Sequence, residues 1–248
     1  MQYVCMILVM TSSPDVPETG TPMKRPQGRE LVHGLEATYK GAATLLDGLT
    51  ADQWREPTRC EGWQVRDVAG HITGLVADVI AGTFGTRTAD EQAASLRDRT
   101  PGEMADLMRA PAGVLIQTLS TLDEPSWQLP SANPGLTIEQ GALGIWHDLY
   151  IHVDDIRSAL GLPSERGAGL VASVANTADR LRRDGYGPAR ILVDGLDGGS
   201  GTEELLFGDD GAASTPVRLD ALGFLLVATG RTDPAALGLT EEVNIYRG

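Results

Sequence analysis

The chain has 248 residues, 42% of them hydrophobic and 22% charged, enough for one large domain or two small ones with real cores. A formal charge of −14, with no basic stripe to offset it, argues against nucleic acid and anionic membrane surfaces as partners. Two cysteines, Cys5 and Cys60, make no disulfide framework, so a reducing cytoplasm is the default compartment.

The first ten residues are apolar, lack a basic start and are too few to cross a bilayer, so no secretory signal is expected. Residues 1 to about 27 read as a disordered leader, with Met23 as an alternative initiator. A first helix is predicted from Arg29 to Leu49, where Leu31, Leu35, Ala42, Leu45, Leu46 and Leu49 recur with helical period. Pro57 to Trp63 reads as a tight loop. A second helix follows from about Gln64 to Phe84, with Val65, Val68, Ile72, Leu75 and Val79 on one face. Residues 85–99 are polar and favour neither helix nor strand. Thr100-Pro101-Gly102-Glu103 starts a third helix, with an N-cap, a proline in the first turn and a capping-box glutamate; it runs to about Leu122.

A proline-rich loop separates the third helix from a fourth over Thr137–Leu160, which Gly161-Leu162-Pro163 stops. Four amphipathic helices with modest loops predict a four-helix bundle over residues 28–162. Residues 163–248 read as a small α/β domain. Its parts are a helix near 167–183, a strand at 189–194, a turn at 195–201, a second strand at 204–207 and a helix at 219–230. The Gly-rich run 194–201 is acidic and leads into a strand, which suits a turn and not a phosphate cradle.

The chemistry concentrates on the fourth helix. Asp148 and His152 are one turn apart, a spacing that makes either a salt bridge or half of a metal site. A helical wheel centres the apolar face on Ile138, Ala142, Ile145, Leu149, Val153, Ile156 and Leu160. His152, Asp148 and Asp155 share one margin of that face, whereas His147 falls on the opposite, polar side. His71, on the margin of the second helix's apolar face, can supply a third ligand or be a hydrogen-bonded core histidine. Three N/O ligands would leave a fourth position open, a catalytic count. Asp67, four residues before His71, could hold that ring's second nitrogen or simply meet the helix dipole. Asp155 with Arg157 reads as a structural pair, Cys60 as packing, and His33 and His147 as surface residues.

The stretch from Gly48 to Trp54, followed by Pro57-Thr58-Arg59-Cys60-Glu61-Gly62-Trp63 and Asp67-x3-His71, resembles the N-terminal signature of the mycothiol-dependent maleylpyruvate isomerase family, within the DinB-like metal-binding helical bundles. Asp148-x3-His152-x2-Asp155-Ile156-Arg157 is similar to its second signature, and Thr229-Gly230-Arg231 more loosely to its C-terminal domain. The resemblance implies a DinB-like bundle followed by a small α/β domain. It also implies a divalent metal, most often zinc, on His71, Asp148 and His152. Asp148 stands where the family usually has glutamate, a reach shorter by one carbon, about 1.5 Å.

The implied activity is mycothiol-dependent. A metal-bound thiolate attacks an electrophilic small molecule, giving isomerisation or S-transfer, with Arg231 as the candidate cofactor-binding and catalytic cation. A non-catalytic metal- or ligand-binding bundle, or a metal hydrolase using bound water, would draw on the same residues.

Overall fold

The computed structural model describes Met23, residues 25–196 and 198–209, Gly211 and residues 214–246. It divides into two compact units, Gln27–Ser164 and Glu165–Gly248. Residues 1–22 of the expected leader lie outside the described residues. Met23, Arg25 and Pro26 belong to the second unit, where Met23 is buried and Arg25 bonds Asp179. Among the described residues no helix is long and apolar enough to cross a membrane.

The first unit is the predicted bundle. Its long helices are α1 (Gly28–Asp47), α2 (Val65–Ala81), α4 (Pro101–Ser120) and α5 (Ile138–Ala159), with a short α3 (Ala89–Leu96) between α2 and α4. α1 packs against α4 and α5, and α2 packs against the same two, so α1 and α2 lie diagonally across the bundle. Leu31, Leu35, Leu46, Ile72, Met104, Met108, Leu143 and Leu149 fill the middle. Trp146 lies across α1 at Gly34, where even a methyl group would meet the indole at 1.9 Å. Its Nε1 donates to Thr38 Oγ1 at 2.8 Å, which satisfies the one polar atom of a buried ring.

The stretch left unassigned, 85–99, contains α3. Thr88 and Glu91 cap it reciprocally, as Thr100 and Glu103 cap α4. Glycines on α2 let α3 approach closely. A Cβ at Gly70 would lie 3.1 Å from the Ala93 carbonyl oxygen, and one at Gly74 would lie 2.8 Å from Gln92 Cβ. The room beside His71 is therefore taken by another helix.

In the second unit α6 (Ala168–Arg183) precedes a three-stranded sheet of order β2-β1-β3. β1 (Ala189–Asp194) pairs antiparallel with β2 (Thr202–Phe207) and parallel with β3 (Val217–Asp220). Alternation buries Ile191, Val193, Leu205, Phe207 and Leu219. The run expected as one helix from 219 to 230 splits. Val217–Asp220 is strand, and α7 (Ala221–Ala228) starts where Asp220 Oδ1 accepts from the Leu222 amide at 3.0 Å.

Candidate metal centre

α2 and α5 pack against each other, and their facing margins carry His71 on one side and Asp148 and His152 on the other. One donor atom from each of the three lies within 4.8 Å of the others. His71 Nε2 is 3.3 Å from Asp148 Oδ2, and His152 Nε2 is 3.7 Å from Asp148 Oδ1. Ligands on a tetrahedral zinc stand about 3.3–3.5 Å apart, so the observed spacing is close to that of a ligand set. Their side chains are only 9, 12 and 20% exposed, with Asp148 the most accessible.

The loop before α2 builds the wall beside these residues. Thr58 ties its two ends, its hydroxyl donating to the Trp63 carbonyl at 2.9 Å and accepting from the Cys60 amide at 3.2 Å. Gly62 takes φ +77°, the left-handed turn that brings Trp63 back. The Trp63 ring then stacks at 28° to His152, 6.3 Å away, and tilts against His71 at 5.5 Å. Its Nε1 donates to Asp90 Oδ1 on α3 at 2.9 Å. On the same loop, Arg59 Nη2 donates to Asp154 Oδ2 at 2.6 Å and Nε to Asp155 Oδ1 at 3.1 Å. The Cys60 thiol donates to Asp155 Oδ2 at 3.2 Å and sits 3.8 Å from His152 Nδ1.

Each histidine turns Nδ1 away from the trio and onto a buried acceptor. His152 Nδ1 meets Asp155 Oδ2 at 3.1 Å, and His71 Nδ1 meets Gln92 Oε1 at 2.8 Å. Burial alone would raise the Asp148 carboxyl, but His71 and His152, with His147 behind them, hold it well below the ordinary carboxylate range. Burial, reinforced by the Asp148 charge, pushes the Tyr39 hydroxyl far up, so Tyr39 stays a neutral phenol. Asp148 Oδ2 is buried, with His71 Nε2 3.3 Å away. As an imidazolium His71 donates to that oxygen; as a neutral ring with its proton on Gln92 it presents a lone pair there. Two imidazole nitrogens and an anionic oxygen face one point, and this donor set fits a divalent metal such as zinc.

Residues 35–157 match the family described as "Mycothiol maleylpyruvate isomerase N-terminal domain". The helical unit belongs to that family. In fold, the chain is similar to a crystal structure of the mycothiol-dependent maleylpyruvate isomerase, with a TM-score of 0.56 at 14% identity over 83% of this chain and 90% of that one. A histidine-to-alanine mutant of the isomerase gives a TM-score of 0.53 at 15% identity with the same coverage. No curated protein matches the chain in sequence.

The family match spans the whole trio, so all three residues expected as ligands lie inside it and come together. Arg231 lies in the other unit, just past α7, with its Nη1 donating to the Thr229 carbonyl at 3.1 Å. The supporting residues make the following bonds. Asp67 does not hold His71; it accepts from the Gln64 amide at 3.0 Å and pairs with Arg97 at 2.8 Å, the capping alternative. Asp155 pairs with Arg59, while Arg157 Nε bonds the Pro163 carbonyl at 2.8 Å. His147 is buried at 3% exposure because α5 is covered nearly all round, Leu143, Tyr150, Ile151 and Asp154 included. The roles of Trp63, Arg59 and Gln92 at the site are not evident from the sequence.

Proposed function

We propose that this protein is a mycothiol-dependent enzyme of the isomerase or S-transferase class, acting on an electrophilic small molecule in a reducing cytoplasm. The observation that carries this reading is the convergence of His71, Asp148 and His152 around a buried carboxylate, inside the segment that matches the family. His71, Asp148 and His152 would hold a divalent metal, whose Lewis acidity would favour the ionised form of a thiol; a free thiol of pKa about 8.5 is only a few per cent thiolate at neutral pH. Asp148 would bring the single negative charge of the ligand set, and the two imidazoles would serve as neutral donors. Trp63 covers both rings with an apolar surface, which keeps bulk water from one side of the reacting thiol. The family resemblance also nominates Arg231 to bind a carboxylate of the substrate or the thiol; an Arg231→Ala protein with unchanged KM for both removes it from that role.

Metal analysis paired with thiol titration tests the reading. About one equivalent of zinc or a similar metal per chain is expected, lost in His152→Ala. The spectrum of the cobalt-substituted protein should change when mycothiol is added. Protein that is metal-free as isolated and does not take up added zinc would sink the proposal. Turnover without any thiol would move it to the hydrolase class, and metal binding with no response to mycothiol to a non-catalytic bundle.

A further inference from the structure

We infer that Gln92 is a positioning residue, which fixes the ring and the tautomer of His71 so that Nε2 presents a lone pair to the centre. The inference rests on the metal reading above and extends it to α3, a helix that holds none of the three ligands. Gln92 is 3% exposed, and both ends of its amide are committed. Oε1 lies 2.8 Å from His71 Nδ1, while Nε2 donates to Asp78 Oδ2 at 2.8 Å. Asp78 is held in turn by Arg87, whose Nη2 donates to Oδ1 at 2.6 Å and whose Nε donates to Oδ2 at 3.0 Å. Arg87 Nη1 reaches Ser95 Oγ at 3.1 Å, and that hydroxyl donates to the Gln92 main-chain carbonyl at 2.8 Å, which closes the ring of bonds on α3.

The amide cannot turn over in this setting. A flipped Gln92 would put its carbonyl oxygen against the Asp78 carboxylate, two buried acceptors at hydrogen-bond distance with no proton between them. With Oε1 fixed toward His71, Nδ1 has to be the nitrogen that carries the proton. The lone pair of the neutral ring is then left on Nε2, facing Asp148. Gly70 and Gly74 serve the same end, since any side chain there would lift α3 and withdraw Gln92. The acceptor is also uncharged, unlike Asp155 behind His152. His71 is therefore oriented without a second carboxylate being added to a centre that already contains one.

Gln92→Met, which keeps the side chain's length and removes both hydrogen bonds, tests this. The zinc dissociation constant, measured by chelator competition, should rise about 10–100-fold. Nitrogen-15 NMR of the metal-free wild type at about pH 9, where imidazoles are neutral, should show the His71 proton on Nδ1, and Gln92→Met should shift it toward Nε2. A residue that only packs would lower the melting temperature and leave the tautomer alone. Wild-type zinc affinity in folded Gln92→Met, or a wild-type His71 protonated on Nε2, overturns the inference. Should the variant not fold, the wild-type tautomer decides. If the wild type itself takes up no zinc, the metal reading has failed, and the tautomer still decides the role of Gln92.

Discussion

The side chains of Asp67, Asp78, Asp154 and Asp155 in the helical unit are all at most 6% exposed, and each meets an arginine from a loop or a short helix. In the C-terminal unit the pairs Arg166–Asp220, Arg180–Asp184, Arg190–Glu204 and Arg218–Asp194 are at least 35% exposed on both sides, with Arg25–Asp179–Arg182 as an intermediate case. Both units have sound apolar cores, so neither needs buried charge in order to fold. Taking a carboxylate out of water costs several kcal/mol even after relaxation, and a hydrophobic replacement is often as stable. Two of the buried groups end on a histidine of the trio: Arg59–Asp155–His152 and Arg87–Asp78–Gln92–His71. Buried charge here follows the site and not the fold.

If that contrast is right, the largest effect belongs to Arg59. Its guanidinium bridges Asp154 and Asp155, and the second oxygen of Asp154 is buried without a hydrogen-bond partner among the described residues. Arg59→Ala strands the Asp154 carboxylate, takes one partner from Asp155, and should cost about 3 kcal/mol, the low end for breaking a buried pair because the arginine itself is a quarter exposed. Arg59→Lys keeps the charge but reaches one carboxylate at a time, so its loss should be smaller. Urea midpoints of the three proteins order these effects, and an alanine variant as stable as the wild type would remove the contrast.

What the sequence disclosed follows the range of each interaction. Asp148 and His152 were visible because one helical turn is local. The bundle was visible because its helices carry their own period and caps. Arg59, Cys60 and Trp63 were not, because Arg59 and Cys60 act on α5 some 95 residues away and only folding joins them. Gln92 could have been reached in two steps. Thr88-Ala-Asp-Glu91 has the same cap spacing that marked α4, and a helix there must lie on something, which Gly70 and Gly74 supply. His147 was misassigned because a wheel assumes one buried face, and α5 has more than one. The split of 219–230 was hidden by Asp220, which ends a strand and caps a helix in the same residue.

A smaller, pH-dependent effect should come from Asp78. Burial raises its pKa, but bonds from Arg87, Gln92 and Thr83 outweigh this and hold it below the ordinary value. A carboxyl with a depressed native pKa adds stability that is fully present above its unfolded pKa, about 3.9, and is lost as pH falls through the native one. The advantage of the wild type over Asp78→Asn should therefore be largest near neutrality and shrink on acidification below about pH 4. Urea midpoints for both proteins at about pH 6 and pH 3 give this double difference, in which the other carboxylates cancel. An unchanged gap would mean that the charge of Asp78 contributes nothing and that its hydrogen bonds alone matter.

The smallest effect is expected where the contrast predicts almost none. Arg190 Nε lies 2.6 Å from Glu204 Oε1 across β1 and β2, a shorter contact than most in the buried groups. Distance alone would rank it with Arg59. Its two side chains are 36 and 43% exposed, however, so water screens the pair and solvates whichever partner is left behind. Arg190→Ala should shift stability by no more than about 0.5 kcal/mol, and that shift should fade in high salt, whereas the loss in Arg59→Ala should persist. A loss at Arg190 equal to that at Arg59 would show that geometry, and not burial, sets the worth of these pairs. The buried carboxylates around the histidines would then need no functional explanation.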